Sequence, residues 1–516
     1  MLVNSLPFLL FFIMVMIVYF LLPGSFQWIW LLMGSLFYYW MNDTPAGLVI
    51  FLIIVLINYL ATMFMGEDQS NRKAVYTAVL IFDVLAIVLF KYSDFFADII
   101  KNIMIACKST SDFTALNKFT ATMEEYAPMG ISYFDLILIG YVTDVYWCKV
   151  TPLKNPGKAI LFASFFPQML SGPIVRYEEM ESGLFGEKNR FSYENLVRGG
   201  ERLLWGLFKK MVMAERFAVI VSSVYSAYEV YKGFYVWVAA AMFALQLYFD
   251  FSGLMDIVLG FAEILNIHLP ENFDTPFYST SLSEFWRRWH ITLGGFLRDY
   301  ILYPLQRSKF FRNLRKFCKS KLGKGYEKKW NLPLHLSLLV SWFLIGLWHG
   351  GGWNYIFGVG LYMWAVIVIG ELLTPVFDFL KKIMHINTEC ESYKLFQRIR
   401  TFFLFIIGLS FFRAESLEAG FKMWKNAFSQ FNIWIFFDKS LYELGIDRAE
   451  WGILILGLIM LFIVSYISQK EDFRDFINRQ NFVFRIIVFG ALFTMIICWG
   501  YYGMNFNAAD FIYGRF

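Results

Sequence analysis

The sequence predicts an all-α, polytopic membrane protein, and three observations lead there. First, 58% of the 516 residues are hydrophobic and only 17% charged, with a mean hydropathy of +0.51; soluble domains run at about 45–50% apolar and about 25% charged. Second, residues 45–65 hold 21 positions without a charge and residues 451–468 hold 18, where about 18–20 apolar residues suffice to span a bilayer. Third, such runs recur from end to end and leave no soluble half. This composition excludes a soluble enzyme, a disordered chain and a nucleic-acid binder.

The elements follow in order. Apolar periodicity predicts helices near 7–22, 26–41, 46–65, 74–92, 131–147, 202–226, 234–265, 332–348, 353–372, 401–412, 451–468 and 483–503. The first lacks the Lys or Arg and the small-residue cleavage site of a signal peptide, so it reads as a retained helix. Thr44-Pro45 reads as a cap followed by a first-turn proline. Residues 159–170, which lead through Pro167 into Ser171-Gly172-Pro173, are too broken to span. Residues 277–303 mix aromatics with arginines. Such segments are tolerated at membrane depth only where protein or a water-filled cavity surrounds them, which hints at an internal site. Five cysteines without a CxxC spacing imply neither a disulfide framework nor a zinc site.

Charge gathers in a few connections. Residues 307–329 carry ten Lys or Arg against one acid, Glu327, so this segment is placed on the cytoplasmic side. It is a topology signal beside anionic lipid, or a surface that attracts a phosphorylated donor such as a coenzyme A thioester. Residues 413–450 balance five basic against six acidic residues and are placed outside.

Ionisable groups at bilayer depth cost a few kcal/mol and are functional candidates by default. Two of the five histidines share a Trp-His context: Trp286, Arg288, Trp289 and His290 in one stretch, Trp348 and His349 in the other. His349 closes an uncharged run and precedes three glycines, which permit a helix break or close backbone approach. An imidazole with an ordinary pKa of about 6.5 there suits a general base; a hydrogen-bonded structural histidine fits the same pattern. Asp250 and Asp256 stand six residues apart in a polar cluster, roughly 600° along a regular helix, so they face different ways. Both a direct role and neutralisation by Arg287, Arg288 or Arg298 fit.

Residues 284–304, EFWRRWHITLGGFLRDYILYP, resemble the signature of the membrane-bound O-acyltransferase family, in the branch that holds the membrane component of bacterial alginate O-acetylation. PMGIS (128–132), FPQMLSGPIVR (166–176), GLFKK (206–210), QLYFDFSGLMD (246–256), PENFDTP (270–276), GLWHGGGW (346–353) and FFRA (411–414) are similar to that branch in the same order. The last residues, Phe511-Ile512-Tyr513-Gly514-Arg515-Phe516, match F-x-Y-x-x-F, an ending shared with alginate-type members and with the small partner of teichoic-acid D-alanylation.

The resemblance implies one embedded domain, a ring of about 10–12 transmembrane helices with broken segments around a funnelled core. In it, 1–125 are peripheral helices, 126–412 the catalytic core with a basic cytoplasmic loop at 305–330, and 413–516 the C-terminal helices. It implies catalytic roles for His349 and His290, a relay role for Tyr513 (otherwise an interfacial anchor), and Trp286, Arg288, Trp289, Trp348, Asp250 and Asp256 as substrate contacts. No metal or bound cofactor is expected; acetyl-CoA is the donor substrate. The expected partners are membrane lipids, a polysaccharide acceptor and an extracytoplasmic esterase-like acetyltransferase, at a bacterial cytoplasmic membrane. D-alanyl transfer to teichoic acids, and a transporter or flippase, are the alternatives.

Overall fold

The computed structural model describes residues 1–67, 70–108, 112–169, 171–186, 188–323, 325 and 330–502. Tyr513 and part of the basic segment, residues 324 and 326–329, lie outside them. Among the described residues there is no β-strand, only an isolated bridge between Phe273 and Trp289. Eight helices are long and apolar enough to cross a membrane: Pro45–Gly66, Arg72–Lys91, Phe234–Ile264, Leu332–His349, Trp353–Leu372, Glu391–Arg413, Arg448–Ser468 and Phe482–Trp499. Leu6–Leu21 is shorter and also apolar. The protein is therefore a multi-pass membrane protein.

Local chemistry sets many boundaries. Thr44 Oγ1 accepts from Gly47 N at 3.0 Å, the cap expected before Pro45. Asp447 and Glu450 form a reciprocal capping box, which satisfies two of the amides that a helix start leaves open. The helix expected at 401–412 begins ten residues earlier, as Glu391–Arg413, because its first turns are polar and hydropathy finds only the apolar part. Part of the expected basic loop at 305–330 is a helix as well, Lys309–Leu322, which buries Phe311 and Cys318 and exposes its cations.

The chain packs as two units. Among the described residues the first comprises 1–207 with Gly253–Pro270, and the second Phe208–Ser252 with 271–502; the helix Phe234–Ile264 supplies residues to both. In the first unit, Phe261 packs against Phe8 and Phe12 at ring distances of 5.2 and 4.3 Å. A Cβ on Gly199 would stand 2.6 Å from Gly260 O, and one on Gly206 2.7 Å from Gly253 O. These pairs let two helices approach at backbone distance, as small residues do in membranes. The broken segment after Pro156–Ser164 is enclosed as expected: Phe165 and Phe166 are fully buried, and Ser35 Oγ accepts from Phe166 N at 3.2 Å.

In the second unit, residues 276–307 form short pieces: Leu282–Arg288, Ile291–Leu297, a π-helical turn at Arg298–Leu302, and Tyr303–Arg307. A second π-helical stretch, Ile356–Tyr362, lies against Leu332–His349. The contact is tight: a Cβ on Gly346 would stand 2.7 Å from Ile356 Cα and 3.0 Å from Tyr355 O. Gly346→Ala is thus expected to force the helices apart at a cost of about 1–3 kcal/mol, seen as a lower melting temperature in detergent.

Candidate active site

His290 sits at the break between Leu282–Arg288 and Ile291–Leu297, with a left-handed backbone (φ 48°). This conformation is uncommon for a side chain with a Cβ, and neighbouring bonds hold it. Ile291 N donates to Asn272 O at 3.1 Å and Asp274 N to Arg288 O at 3.0 Å. The Asn272 side-chain oxygen accepts from Thr292 N at 3.1 Å and Thr292 Oγ1 at 2.9 Å, and lies 3.2 Å from His290 Nδ1. An oxygen that only accepts requires the hydrogen on Nδ1, so the neutral ring presents Nε2 as its lone-pair nitrogen. Burial disfavours the imidazolium and pushes the His290 pKa down to about 3. At physiological pH this ring is neutral.

His349 is the last residue of Leu332–His349 and is 3% exposed. The chain turns at once: Gly350 N donates to Leu347 O and Gly352 N to Gly350 O, at 3.1 and 2.8 Å. Gly351, two residues on, is exposed, so the buried ring lies a short step from the protein surface. Asn354 Nδ2 donates to Ala414 O at 2.9 Å, which ties this turn to the end of Glu391–Arg413.

The two imidazoles contact one indole. Trp348 lies 5.6 Å from His290 and 5.0 Å from His349 between ring centres, edge-on to both. Phe251 closes the far side of His290 at 4.8 Å and Phe412 that of His349 at 5.3 Å. The structure therefore brings together His290, Trp348 and His349. Trp289 is buried beside Phe285, Phe273 and Tyr248, and Trp286 packs on Trp342 at 5.2 Å. Both indoles pack around the His290 segment.

The acidic residues have partners other than the arginines considered from the sequence. Asp250 pairs with Lys210, both nearly buried, and Lys209 Nζ donates to Ser252 Oγ at 3.0 Å. Asp256 belongs to the first unit, where Arg202 reaches it at 3.0 Å. Arg288 is held by Glu284 at 3.0 Å and Thr275 at 3.1 Å, and Arg298 by Asp299 at 2.9 Å. The two lysines stand in a third π-helical stretch, Phe208–Ala214, and such stretches occur often at functional sites. Sequence reasoning quoted their GLFKK motif without assigning them a role. The signal was present, since two lysines in an otherwise apolar run need buried partners. Asn272 was likewise quoted within PENFDTP but not singled out.

Asn272→Ala removes the acceptor that orders His290 Nδ1. The loss of the His290 hydrogen bond alone, about 1–3 kcal/mol, is expected to lower kcat roughly 5- to 100-fold with a smaller change in donor KM, while the two bonds lost at Thr292 lower stability. Steady-state kinetics on the purified protein check this.

Comparison with known proteins identifies the family. The profile of the MBOAT, membrane-bound O-acyltransferase family matches residues 35–319, which include His290. The chain is 28% identical over 426 residues to a peptidoglycan O-acetyltransferase of Helicobacter pylori, covering 77% of this chain and 73% of that protein. It is 28% identical over 456 residues to a probable alginate O-acetylase of Pseudomonas syringae pv. tomato, covering 87% and 77%. A teichoic acid D-alanyltransferase of Streptococcus thermophilus is 27% identical over 254 residues, 47% of this chain and 56% of that protein. With the family matched over more than half its length and the alginate O-acetylases over most of it, the chain belongs to the membrane-bound O-acyltransferases, in their alginate O-acetylase-like branch.

Proposed function

We propose that this enzyme moves an acetyl group from cytoplasmic acetyl-CoA toward a hydroxyl of a cell-wall polymer or exopolysaccharide, at a bacterial cytoplasmic membrane. The observation that carries the reading is the pair of buried imidazoles that both contact Trp348. His349 takes the proton as a hydroxyl oxygen attacks the thioester carbonyl. The tetrahedral intermediate then expels the coenzyme A thiolate, which recovers that proton. His290, neutral with a lone pair on Nε2, accepts a hydrogen bond from a second donor group of the bound substrate and so positions it, because the one proton of the attacking hydroxyl goes to His349; a ring in this state cannot donate to an oxyanion from Nε2. The apolar walls exclude the water that would hydrolyse the thioester.

A donor foothold is available in the second unit. A cavity of about 470 Å³ is lined by Tyr303, Gln306, Arg307, Arg312 and Arg315. Guanidinium groups clustered in a concave surface suit the phosphates of coenzyme A. For the exit, we propose that Tyr513 carries the acyl group to an extracytoplasmic esterase-like acetyltransferase. A phenol pKa of about 10 is close to that of a thiol at about 8.5, so a phenyl ester keeps much of the thioester's transfer potential. The relatives named for alginate and peptidoglycan O-acetylation support an acetyl donor; the partial match to a D-alanyltransferase makes a D-alanyl carrier thioester the competing donor.

His349→Ala is expected to lower donor turnover by about 10²–10⁴-fold, measured as free thiol released from acetyl-CoA with the partner protein present. Tyr513→Phe is expected to abolish polymer acylation while leaving protein level and acetyl-CoA binding unchanged. In the unmodified protein, mass spectrometry of the C-terminal peptide after acetyl-CoA treatment is expected to show an acetyl on Tyr513. Arg312→Glu is expected to raise the KM for acetyl-CoA about tenfold, about 1.4 kcal/mol of lost binding, with little change in kcat. Faster turnover with a D-alanyl carrier thioester than with acetyl-CoA would reverse the donor assignment.

A further inference from the structure

Away from the histidines, the first unit buries a polar cluster among the helices Pro45–Glu67, Arg72–Lys91 and Ile131–Tyr146. Asn58, Asp83 and Asp135 are each 0% exposed. Asn58 Nδ2 donates to Asp83 Oδ1 at 2.7 Å and to Ile54 O at 3.1 Å, which uses both amide hydrogens. Four atoms are left without a hydrogen-bond partner among the described residues: Asn58 Oδ1, Asp83 Oδ2 and both oxygens of Asp135. The two carboxylates lie within electrostatic reach of one another.

Every one of these orphaned atoms is an oxygen that accepts, and nothing facing them donates. The cations on these helices and on those packed against them are engaged elsewhere or exposed: Lys73 and Lys118 are exposed, and Lys158 stands over the Phe185 ring at 4.9 Å. Arg72 donates to Val145 O at 2.5 Å, Lys91 stands over the Tyr92 ring at 5.5 Å, and Asp144 pairs with Lys149 at 3.0 Å. On the neighbouring helix Ser93–Ala106, Lys101 pairs with Asp98 at 3.0 Å. Two bare carboxylates within electrostatic reach in an apolar interior repel each other and forfeit their hydration. The cluster lacks a positive charge, and its donor set of carboxylate and amide oxygens is that of a hard cation. Two carboxylates and one amide are too few to replace the six to eight oxygens that calcium takes; a proton shared between oxygens, or a monovalent ion that keeps part of its hydration, needs fewer.

We propose that Asn58, Asp83 and Asp135 form a membrane-embedded site for an exchangeable hard monovalent cation, a proton or a sodium ion. In the protonated form one carboxyl donates to the other carboxylate or to Asn58 Oδ1. In the sodium form the same oxygens coordinate the ion, and the displaced proton leaves to water. The site is independent of acyl transfer: it lies in the packing of the first-unit helices and makes their cohesion respond to the cation supply.

The test uses the full-length protein in detergent and dicyclohexylcarbodiimide, an apolar reagent that modifies protonated carboxyls, read by peptide mass spectrometry. Modification of Asp83 or Asp135 at mildly acidic pH, lost at alkaline pH, is the expected result. If sodium chloride but not choline chloride suppresses it, sodium is an occupant; if neither does, the occupant is the proton alone. A second measurement guards against a reagent that cannot enter. Asp135→Asn supplies its own donor and removes one charge, so its melting temperature is expected to equal or exceed that of the parent and to lose the parent's response to pH or sodium. Absence of modification at every pH, together with parent and Asp135→Asn melting temperatures that respond identically to pH and sodium, overturns the proposal.

Discussion

The second unit depends on one arrangement, the indole of Trp348 in edge contact with two imidazoles. Neither histidine could be placed by water, because the surroundings are apolar; each is fixed by covalent neighbours and backbone bonds. On one side the Asn272 side chain sets the tautomer of His290 and the Phe273–Trp289 bridge fixes its strained backbone. On the other, the glycine contact between Gly346 and Ile356 sets how far Leu332–His349 runs before it breaks. An error of an ångström in either support displaces a ring by as much, and the acyl transfer proposed here is sensitive to displacements of that size.

The polar interior follows one rule and shows one departure. Lys210 with Asp250, and Arg202 with Asp256, each neutralise a charge beside its opposite. A buried pair of this kind adds little stability, yet loss of one partner leaves an uncompensated charge and costs about 3–5 kcal/mol. These pairs act as registration devices between neighbouring helices. Asp83 and Asp135 depart from the rule, since they meet an amide and each other, and that contrast within one chain is what makes them conspicuous.

Much of this was legible from the residues. Apolar runs located each of the eight long helices, because burial in lipid and lack of charge are nearly the same property over about 20 residues. The Trp-His stretches marked both histidines, since an ionisable group in such a run has to be accounted for. What escaped was polar helix and tertiary pairing. Residues 391–400 and Lys309–Leu322 are helical but not apolar throughout, so hydropathy misses them; the spacing of Phe311 and Cys318 was the available signal. That Lys210 rather than Arg287 or Arg288 meets Asp250 depends on which helices pack side by side, and spacing along one chain does not encode that. Asn272 looked like any turn residue because its role arises only when its oxygen meets a ring eighteen positions later.

The three π-helical stretches among the described residues, Phe208–Ala214, Arg298–Leu302 and Ile356–Tyr362, carry a consequence for how the sequence tolerates change in length. A π turn is an α-helix holding one surplus residue. Excising a single residue from Ile356–Tyr362 would leave a regular α-helix with its backbone ladder intact, yet everything after it would rotate by roughly 100°. Met363 and Val368, now facing inward, would swing toward lipid. Local hydrogen bonding would survive the deletion, but the angular phase of the following helix would not, so these stretches behave as fixed spacers whose length is as constrained as the identity of any side chain in them.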